Sequence, residues 1–350
     1  MAPLFISSFN LRRIYSVENQ RVRICDIAQE LGLSTATVSN VIHGKTKKIS
    51  DETVKRVMAL IEERGYLPAM ADVLMTQNSS KIIGVFINDH EKYGGHTLED
   101  FFISSSINYL STEIEKNDQF MMLKKAKSAE EIIKFASMWN MDGIVVVGFC
   151  QQDYMNLRNH MRIPFVIYDG VCDKPDRIFN ITIDNIDGGR QIGQHFKALG
   201  HTKALCIADN DIGIDLERYQ GFCQGFEGET SLLVIPMDKE KRWLFYQENL
   251  DTLRSVTAVF AVSDYYAIDF MCFLKKEGIL VPDELSVAGF DDIPMCEIIT
   301  PNLTTIKQDG ALRAKLAMEK LTQLKNHQLT DTEVTLPVSL VIRNSTHTCQ

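Results

Sequence analysis

RVRICDIAQELGLSTATVSNVIHGKTKKISDETVKRVMALIEERGYLPA, residues 21–69, decides the fold of the first part of this 350-residue chain. Ile24, Ile27, Ala28 and Leu31 recur at i, i+3, i+4 and i+7, the apolar stripe of a short helix. Gly32 stops it, because glycine tolerates the left-handed conformation at a helix end. Ser34 then stands as an N-cap, and Val38, Val41 and Ile42 mark a second helix. A third begins at Ser50, with Asp51 and Glu52 in the turn that favours negative charge. Its stripe reads Val54, Val57, Met58 and Ile61, and Gly65 closes it. Two short helices across a glycine-containing turn make a helix-turn-helix outline.

The second helix turns Thr35, Ala36, Thr37, Ser39, Asn40 and His43 outward. These are short hydrogen-bonding groups with no acid among them, and they can approach base edges and phosphates without repulsion. A merely solvated face would more often hold Glu and Lys. Charge points the same way, weakly. Residues 1–80 hold ten basic and eight acidic side chains, whereas residues 81–350 hold 27 basic and 38 acidic, for a net charge of −9. A near-neutral head on an acidic body suits a head that meets a polyanion.

The quoted stretch closely resembles the DNA-binding head of the lactose/galactose repressor (LacI/GalR) family. The matching pieces are DIA, LGLS, ATVSNVI, Ser50–Thr53 and RGYLP. The resemblance implies that the second helix enters the major groove, with Thr35, Ala36 and Asn40 at the contact positions. Position 40, commonly Arg in the family, is Asn40 here. Arg favours guanine, whereas Asn pairs bidentately with adenine, so the expected half-site carries adenine or a less strictly read base at that place. The family's hinge matches Pro68–Thr76, with Leu74 as the wedge into the minor groove. Ala69 and Asp72 replace a common Asn and a frequent Arg. Asp72 either weakens hinge docking or faces away, or caps its own helix.

In the body, β-rich runs alternate with helical patterns. The runs are Ile82–Ile87, Phe120–Leu123, Ile144–Val147, Phe165–Tyr168, Ala204–Ala208, Leu232–Ile235, Ala258–Val262 and Ser286–Phe290. This alternation predicts parallel sheets with helices on both faces, in two lobes. Polar residues recur where strands end, at Asn88–Asp89, Asp169, Asp209, Ser263–Asp264 and Asp291–Asp292. Ligands bind open parallel sheets at such ends. A single Asp after a strand is more often the N-cap of the next helix; the set is harder to explain that way.

The family resemblance continues through the body in DGIVVVG, IPFVIYD, IDNIDGGR, RYQGF, VFAVSD, VPDELSVAGFDDI, TPNLTTIKQ and LPVSLVIRNST. It implies a two-lobed, periplasmic-binding-protein-like α/β sensor behind the small all-α helix-turn-helix head. Arg218, Asp264, Asp291 and Asp169 match effector contacts, with Asn88, Asp89 and Phe149 as lobe-one contributors. Ser263 stands where the family usually has Asn, which removes an amide able both to donate and to accept. The implied division is 1–20 unassigned, 21–67 DNA-binding, 68–80 hinge and linker, and 81–346 effector-binding and dimerisation.

Enzymatic and cofactor motifs are lacking. Gly188–Gly193 has no GxGxxG spacing and reads as a helix start, and Phe149–Cys150 replace the Lys-Ser/Thr of a phosphate loop. His90, His96 and Glu99 fit no common zinc spacing. No two of the eight cysteines form a CxxC pair, and their placement in apolar runs reads as free thiols in a reducing compartment. His201 reads as a local structural residue. No apolar run reaches the ~18 residues of a membrane span. The expectation is therefore a cytoplasmic, non-enzymatic transcription regulator of the repressor kind, with no cofactor and no metal. Its partners would be a pseudo-palindromic DNA operator, a small polar effector such as a sugar, and a second copy of itself. No heptad helix follows Leu336, so a homodimer is the default. The rival is a small-molecule binding protein whose degenerate head has lost operator binding.

Overall fold

A computed structural model describes residues 22–42, 44–64, 66, 79–90, 93–149, 151–170, 178–328 and 331–349. The chain divides into a unit ending at Ser80 and a unit from Lys81 onward. The hinge, Leu74, His43 and residues 1–20 lie outside the described residues.

In the first unit, α1 (Ile24–Leu31), α2 (Thr35–Ile42) and α3 (Asp51–Glu63) follow the sequence expectation closely. Gly32 adopts φ 67°, and Leu33 N donates to Ala28 O at 2.9 Å, which closes α1. Ser50 caps α3 by accepting from Thr53 N at 3.3 Å. Ile27, Ala28, Val38, Val41, Val57, Leu60 and Tyr66 form one small core. Met58, expected in that core, is 51% exposed, and Leu60 takes its place. The apolar stripe of α3 is thus Val57 and Leu60, flanked by Val54 and Ile61, and Met58 stands outside it.

The second unit holds two parallel sheets. The lobe-one sheet has the order β11-β5-β4-β3-β1-β2, with β1 Ile82–Asn88, β2 Phe120–Ala126, β3 Gly143–Val147, β4 Phe165–Tyr168, β5 Ile178–Ile183 and β11 Glu333–Leu336. Side chains alternate between its faces: Val85, Val145 and Val166 point into one core, and Phe86, Val146 and Ile167 into the other. Burial on both faces explains why these strands read as unbroken apolar runs. The lobe-two sheet has the order β7-β6-β8-β9, from β6 Lys203–Ala208, β7 Glu229–Val234, β8 Ala258–Ala261 and β9 Ser286–Ala288. Beside β9 lies an antiparallel pair, β10 Thr305–Gln308 and β12 Val338–Val341.

The helices of this unit are α4 Phe101–Lys116, α5 Ala129–Met138, α6 Gln151–His160, α7 Asn185–Ala198, α8 Gly213–Phe226, α9 Lys239–Glu248, α10 Leu250–Arg254, α11 Asp264–Lys276 and α12 Gly310–Lys325. The chain passes between lobes three times: between β5 and α7, between β10 and α12, and between β11 and β12. Gly188–Gly193 lies inside α7, whose start is Asn185 with Asp184 as its cap. The glycines serve a helix contact. A Cβ on Gly189 would meet Arg218 O at 2.0 Å, and one on Gly221 would meet Ile186 O at 2.0 Å. Small residues at this spacing let α7 and α8 touch backbone to backbone. Among the described residues no helix is long and apolar enough to cross a membrane.

Candidate functional site

On the head, the cap geometry decides which side of α2 is free. Ser34 Oγ accepts from Thr37 N at 3.1 Å and lies 2.8 Å from Thr37 Oγ1, so the Thr37 hydroxyl is engaged by the cap. Val38 and Val41 are buried against α1 and α3. The opposite face presents Thr35, Ala36 and Asn40 to solvent, with Ser39 half-buried. The Asn40 carboxamide has no hydrogen-bond partner among the described residues, while its main-chain carbonyl accepts from Lys45 N at 2.8 Å. A free amide on a short helix can satisfy its donor and acceptor on a base edge.

In the body, strand ends supply the polar groups. Asp169 follows β4 at φ 57° and Asp291 follows β9 at φ 126°; such backbone is uncommon for non-glycine residues and concentrates at functional sites. Arg218 on α8 is fixed by Nε donating to Asn185 Oδ1 at 2.9 Å and Nη1 donating to Val262 O at 2.6 Å. It stacks 3.7 Å above the Phe290 ring and lies 3.8 Å from Asp291 Oδ1. Burial pushes the Asp291 carboxyl well above the ordinary carboxylate range; Arg218 opposes the shift and neighbouring Asp264 adds to it.

Gln308, Arg313, Thr182 and Tyr168, which sequence reasoning did not single out as contacts, complete this cluster. Gln308 Nε2 donates to Asp291 Oδ1 at 2.6 Å, and Arg313 Nη1 donates to Gln308 Oε1 at 3.4 Å. Arg313 is 3% exposed, stacks 4.1 Å over Tyr168, and pairs with Asp169 Oδ1 at 2.7 Å, which also accepts from Thr182 Oγ1 at 3.2 Å. Cationic and acidic groups therefore alternate from Arg218 in lobe two to Asp169 in lobe one. Tyr93, from the loop after β1, meets Tyr265 of α11 edge-on at 6.1 Å and adds an aromatic contact between the lobes.

The other expected contacts have different duties. Asp264 is fully buried, and burial raises its carboxyl. Its oxygens accept from Thr305 Oγ1 at 2.6 Å and Ile293 N at 3.0 Å, and from the Cys296 thiol at 3.1 Å. It latches the segment after β9 and has no face left for a ligand, a correction to its expected role. Phe149 is likewise packed in the core beside Tyr154, whose hydroxyl accepts from Phe149 N at 3.2 Å. Ser263 caps α11 by accepting from Tyr266 N at 3.4 Å.

Asn88 Nδ2 donates to Gly148 O at 2.8 Å, while Asp89 accepts from Lys125 Nζ at 2.9 Å and Thr97 Oγ1 at 2.7 Å. The Lys125 bond, then that of Thr97, holds the Asp89 carboxyl below its usual range. Asn88 and Asp89, with His90, Gly94, Gly95 and Lys127, line a cavity of about 580 Å³. A second, of about 480 Å³, is lined by Asp209, Ile235, Pro236, Met237, Asp238 and Lys241. Behind its wall Arg242, fully buried, pairs with Asp269 at 2.7 Å and donates to Met237 O at 2.6 Å and Pro236 O at 3.2 Å.

Comparison with known proteins matches residues 23–69 to the family model of bacterial regulatory proteins, lacI family, and residues 194–346 to a periplasmic binding protein-like domain. The HTH-type transcriptional regulator DegA of Bacillus subtilis (strain 168) is 28% identical over 351 residues, spanning 93% of this chain and 98% of its own. The HTH-type transcriptional repressor PurR of Mannheimia succiniciproducens is 26% identical, over 92% and 98%. Among solved structures, the Lac repressor dimer bound to operator and the anti-inducer ONPF superposes with a TM-score of 0.78 at 22% identity, covering 94% of this chain and 100% of that one. The CelR–cellobiose complex reaches 0.67 at 22% identity, over 93% and 100%. These two likenesses are of fold. With the head and sensor models matched in order on one chain, and relatives aligned along nearly all of it, the chain belongs to the lacI family of regulatory proteins.

Proposed function

We propose that the chain is a sequence-specific DNA-binding transcriptional repressor. It acts in the cytoplasm as a homodimer on a pseudo-palindromic operator, and a small polyhydroxylated effector in the interlobe cleft sets its affinity. The observation that carries the DNA-binding part is the face of α2: Thr35, Ala36 and Asn40 stand free while Val38 and Val41 anchor the helix from behind. Two copies of such a head read two half-sites related by the dimer axis. The name of DegA, a regulator, and that of PurR, a repressor, support the same reading.

The cleft favours a hydroxylated ligand. Asp169 and Asp291 each engage protein donors through Oδ1, and their Oδ2 atoms have no hydrogen-bond partner among the described residues. A sugar hydroxyl donates to such an oxygen while accepting from the Arg218 guanidinium. Ligand that prefers one lobe arrangement shifts operator affinity by the factor by which operator shifts ligand affinity. Enrichment of duplexes from a randomised pool on the full-length chain tests the proposal. The expected product is a two-fold symmetric site; failure to enrich any sequence at low salt overturns it in favour of a pure small-molecule binder.

A further inference from the structure

Lobe one presents an ammonium group that no carboxylate answers. Several lysines of this lobe sit on carboxylates: Lys81 on Asp118, Lys116 on Glu113, Lys125 on Asp89 and Lys325 on Asp142. Lys127, one residue past β2, lines the cavity of about 580 Å³ at the end of β1. Its ammonium group has no ion-pair or hydrogen-bond partner among the described residues; Glu131 Oε2 accepts only from its main-chain N, at 3.1 Å. The carboxylate of the cavity, Asp89, is already engaged by Lys125 Nζ at 2.9 Å and Thr97 Oγ1 at 2.7 Å. Two ammonium groups therefore meet one carboxylate there, and Lys127 carries the surplus charge.

The rest of the wall leaves room for an anion. Gly94 and Gly95 adopt φ 55° and 88°, and nothing lies within 4 Å of where a Cβ would stand on either. Glycine at such a place lets a ligand approach bare main chain. The loop that carries them is pinned, since Lys125 Nζ donates to Gly95 O at 2.8 Å and His96 N to Tyr93 O at 2.8 Å. Beside them Asn88 Nδ2 is engaged by Gly148 O, and Asn88 Oδ1 stays open to accept from a hydroxyl. In the strand order β4-β3-β1 the ends that carry Asp169 and Asn88 are two strands apart, about 10 Å. One sugar ring with its phosphate can span that gap.

We propose that this cavity seats a phosphate carried by the effector, with Lys127 as its cationic contact and the Gly94–Gly95 main chain as its wall. The inference rests on the effector-binding reading and adds to it the ligand's class, a phosphorylated polyol in place of a neutral sugar. An ammonium group is a compact charge that suits the oxygens of a phosphate. A carboxylate is better met by the planar fork of an arginine, and no arginine lines this cavity among the described residues. Hydroxyls of the same molecule then reach Asn88 Oδ1 and, beyond it, Asp169 Oδ2. A neutral ligand would leave the surplus charge of Lys127 unanswered.

The test titrates inorganic phosphate into the full-length chain by calorimetry, against chloride at matched ionic strength. Wild type binds phosphate, and Lys127→Gln weakens the binding about ten- to a hundredfold, the worth of one hydrogen bond to a charged group. Lys127→Arg, which keeps the charge, recovers most of it. The melting temperature of both variants in chloride stays at that of wild type, because the ammonium holds no protein partner. No phosphate binding by wild type, or equal binding by Lys127→Gln, overturns the proposal. Equally tight binding of acetate overturns it too, since the site then takes any anion. A second arm adds pentoses and hexoses, neutral or phosphorylated, to the chain on its selected operator. The phosphorylated pool shifts operator affinity, and Lys127→Gln removes the shift. A shift by the neutral pool alone, or one as large by inorganic phosphate, overturns the ligand class while leaving the regulator reading intact. A chain that selects no duplex fails the regulator reading, and calorimetry still decides the phosphate site.

Discussion

Gly189 faces the main-chain carbonyl of Arg218 so closely that a Cβ on the glycine would lie 2.0 Å from that oxygen. The helix contact between α7 and α8 thereby sets the position of the arginine at the cleft. Gly189→Ala must push α8 away, since backbone cannot swing aside as a side chain can. Overpacking usually costs about 1–3 kcal/mol, and this site stands at the upper end. The expected result is a loss of about 3 kcal/mol in urea unfolding of the body, with weakened binding of any cleft ligand. A variant as stable as wild type would show that the helices do not pack this way.

Arg242 and Asp269 are buried partners, and Trp243 Nε1 also donates to Asp269 at 3.0 Å. Removing one partner strands the other charge, which costs about 3–5 kcal/mol. Arg242→Met is expected to lose that much in chemical denaturation, and Arg242→Met/Asp269→Leu to recover a large part. If the double variant is no better than the single, the cost lies in the carbonyls that Arg242 holds and not in the stranded carboxylate.

His201 ties lobe two to the carboxy-terminal segment, with Nδ1 2.8 Å from Thr257 Oγ1 and Nε2 3.1 Å from both Ser286 Oγ and His347 O. Burial lowers its proton affinity below that of an unfolded histidine, whose ordinary value is 6.5. The unfolded chain therefore binds more protons in this range, so the contribution is complete above pH 6.5 and declines as pH falls through the folded value. His201→Gln should flatten the fall in melting temperature between neutral and mildly acidic pH. An unchanged profile assigns the acid sensitivity elsewhere.

Burial pushes the Asp291 carboxyl the other way, so its ionisation costs more stability as pH rises. Asp291→Asn keeps the Oδ1 acceptor for Gln308 and removes the charge. The melting temperature should rise, and rise further at higher pH, while ligand affinity falls at least tenfold. Calorimetry across pH checks the first part, and a variant less stable than wild type contradicts it.

Asn40→Arg is expected to move the preferred operator base at its position from adenine to guanine, with about 1–3 kcal/mol of discrimination, read by competition between duplexes differing at that base. An Asn40 chain that already prefers guanine would refute the assignment.

Much of this was legible from periodicity. The three head helices begin and end within about two residues of their expected bounds, because caps and glycines punctuate them. The apolar parallel strands were equally plain. The elements β5, β10, β11 and β12, and α9, α10 and α12, were not, since their patterns are mixed. Arg313 illustrates the difficulty. It lies on the buried face of α12 with Ala314, Ala317, Met318, Leu321 and Leu324, so a cation in an apolar stripe was there to be read. Its partner Asp169 lies more than a hundred positions upstream, beyond any local pattern. Asp264 was misplaced for a related reason. A strand-end Asp looks the same whether it faces a ligand or a buried amide, and only packing distinguishes the two.

The three passages of the chain between lobes make lobe one discontinuous in the gene. A fragment that stops after Ile183 would lack β11, which pairs in register with β5, and α12, which carries Arg313. Neither lobe can therefore be produced faithfully by a simple truncation. A protease that nicks one passage leaves two peptide tethers, so the severed molecule should migrate as one species until it is denatured.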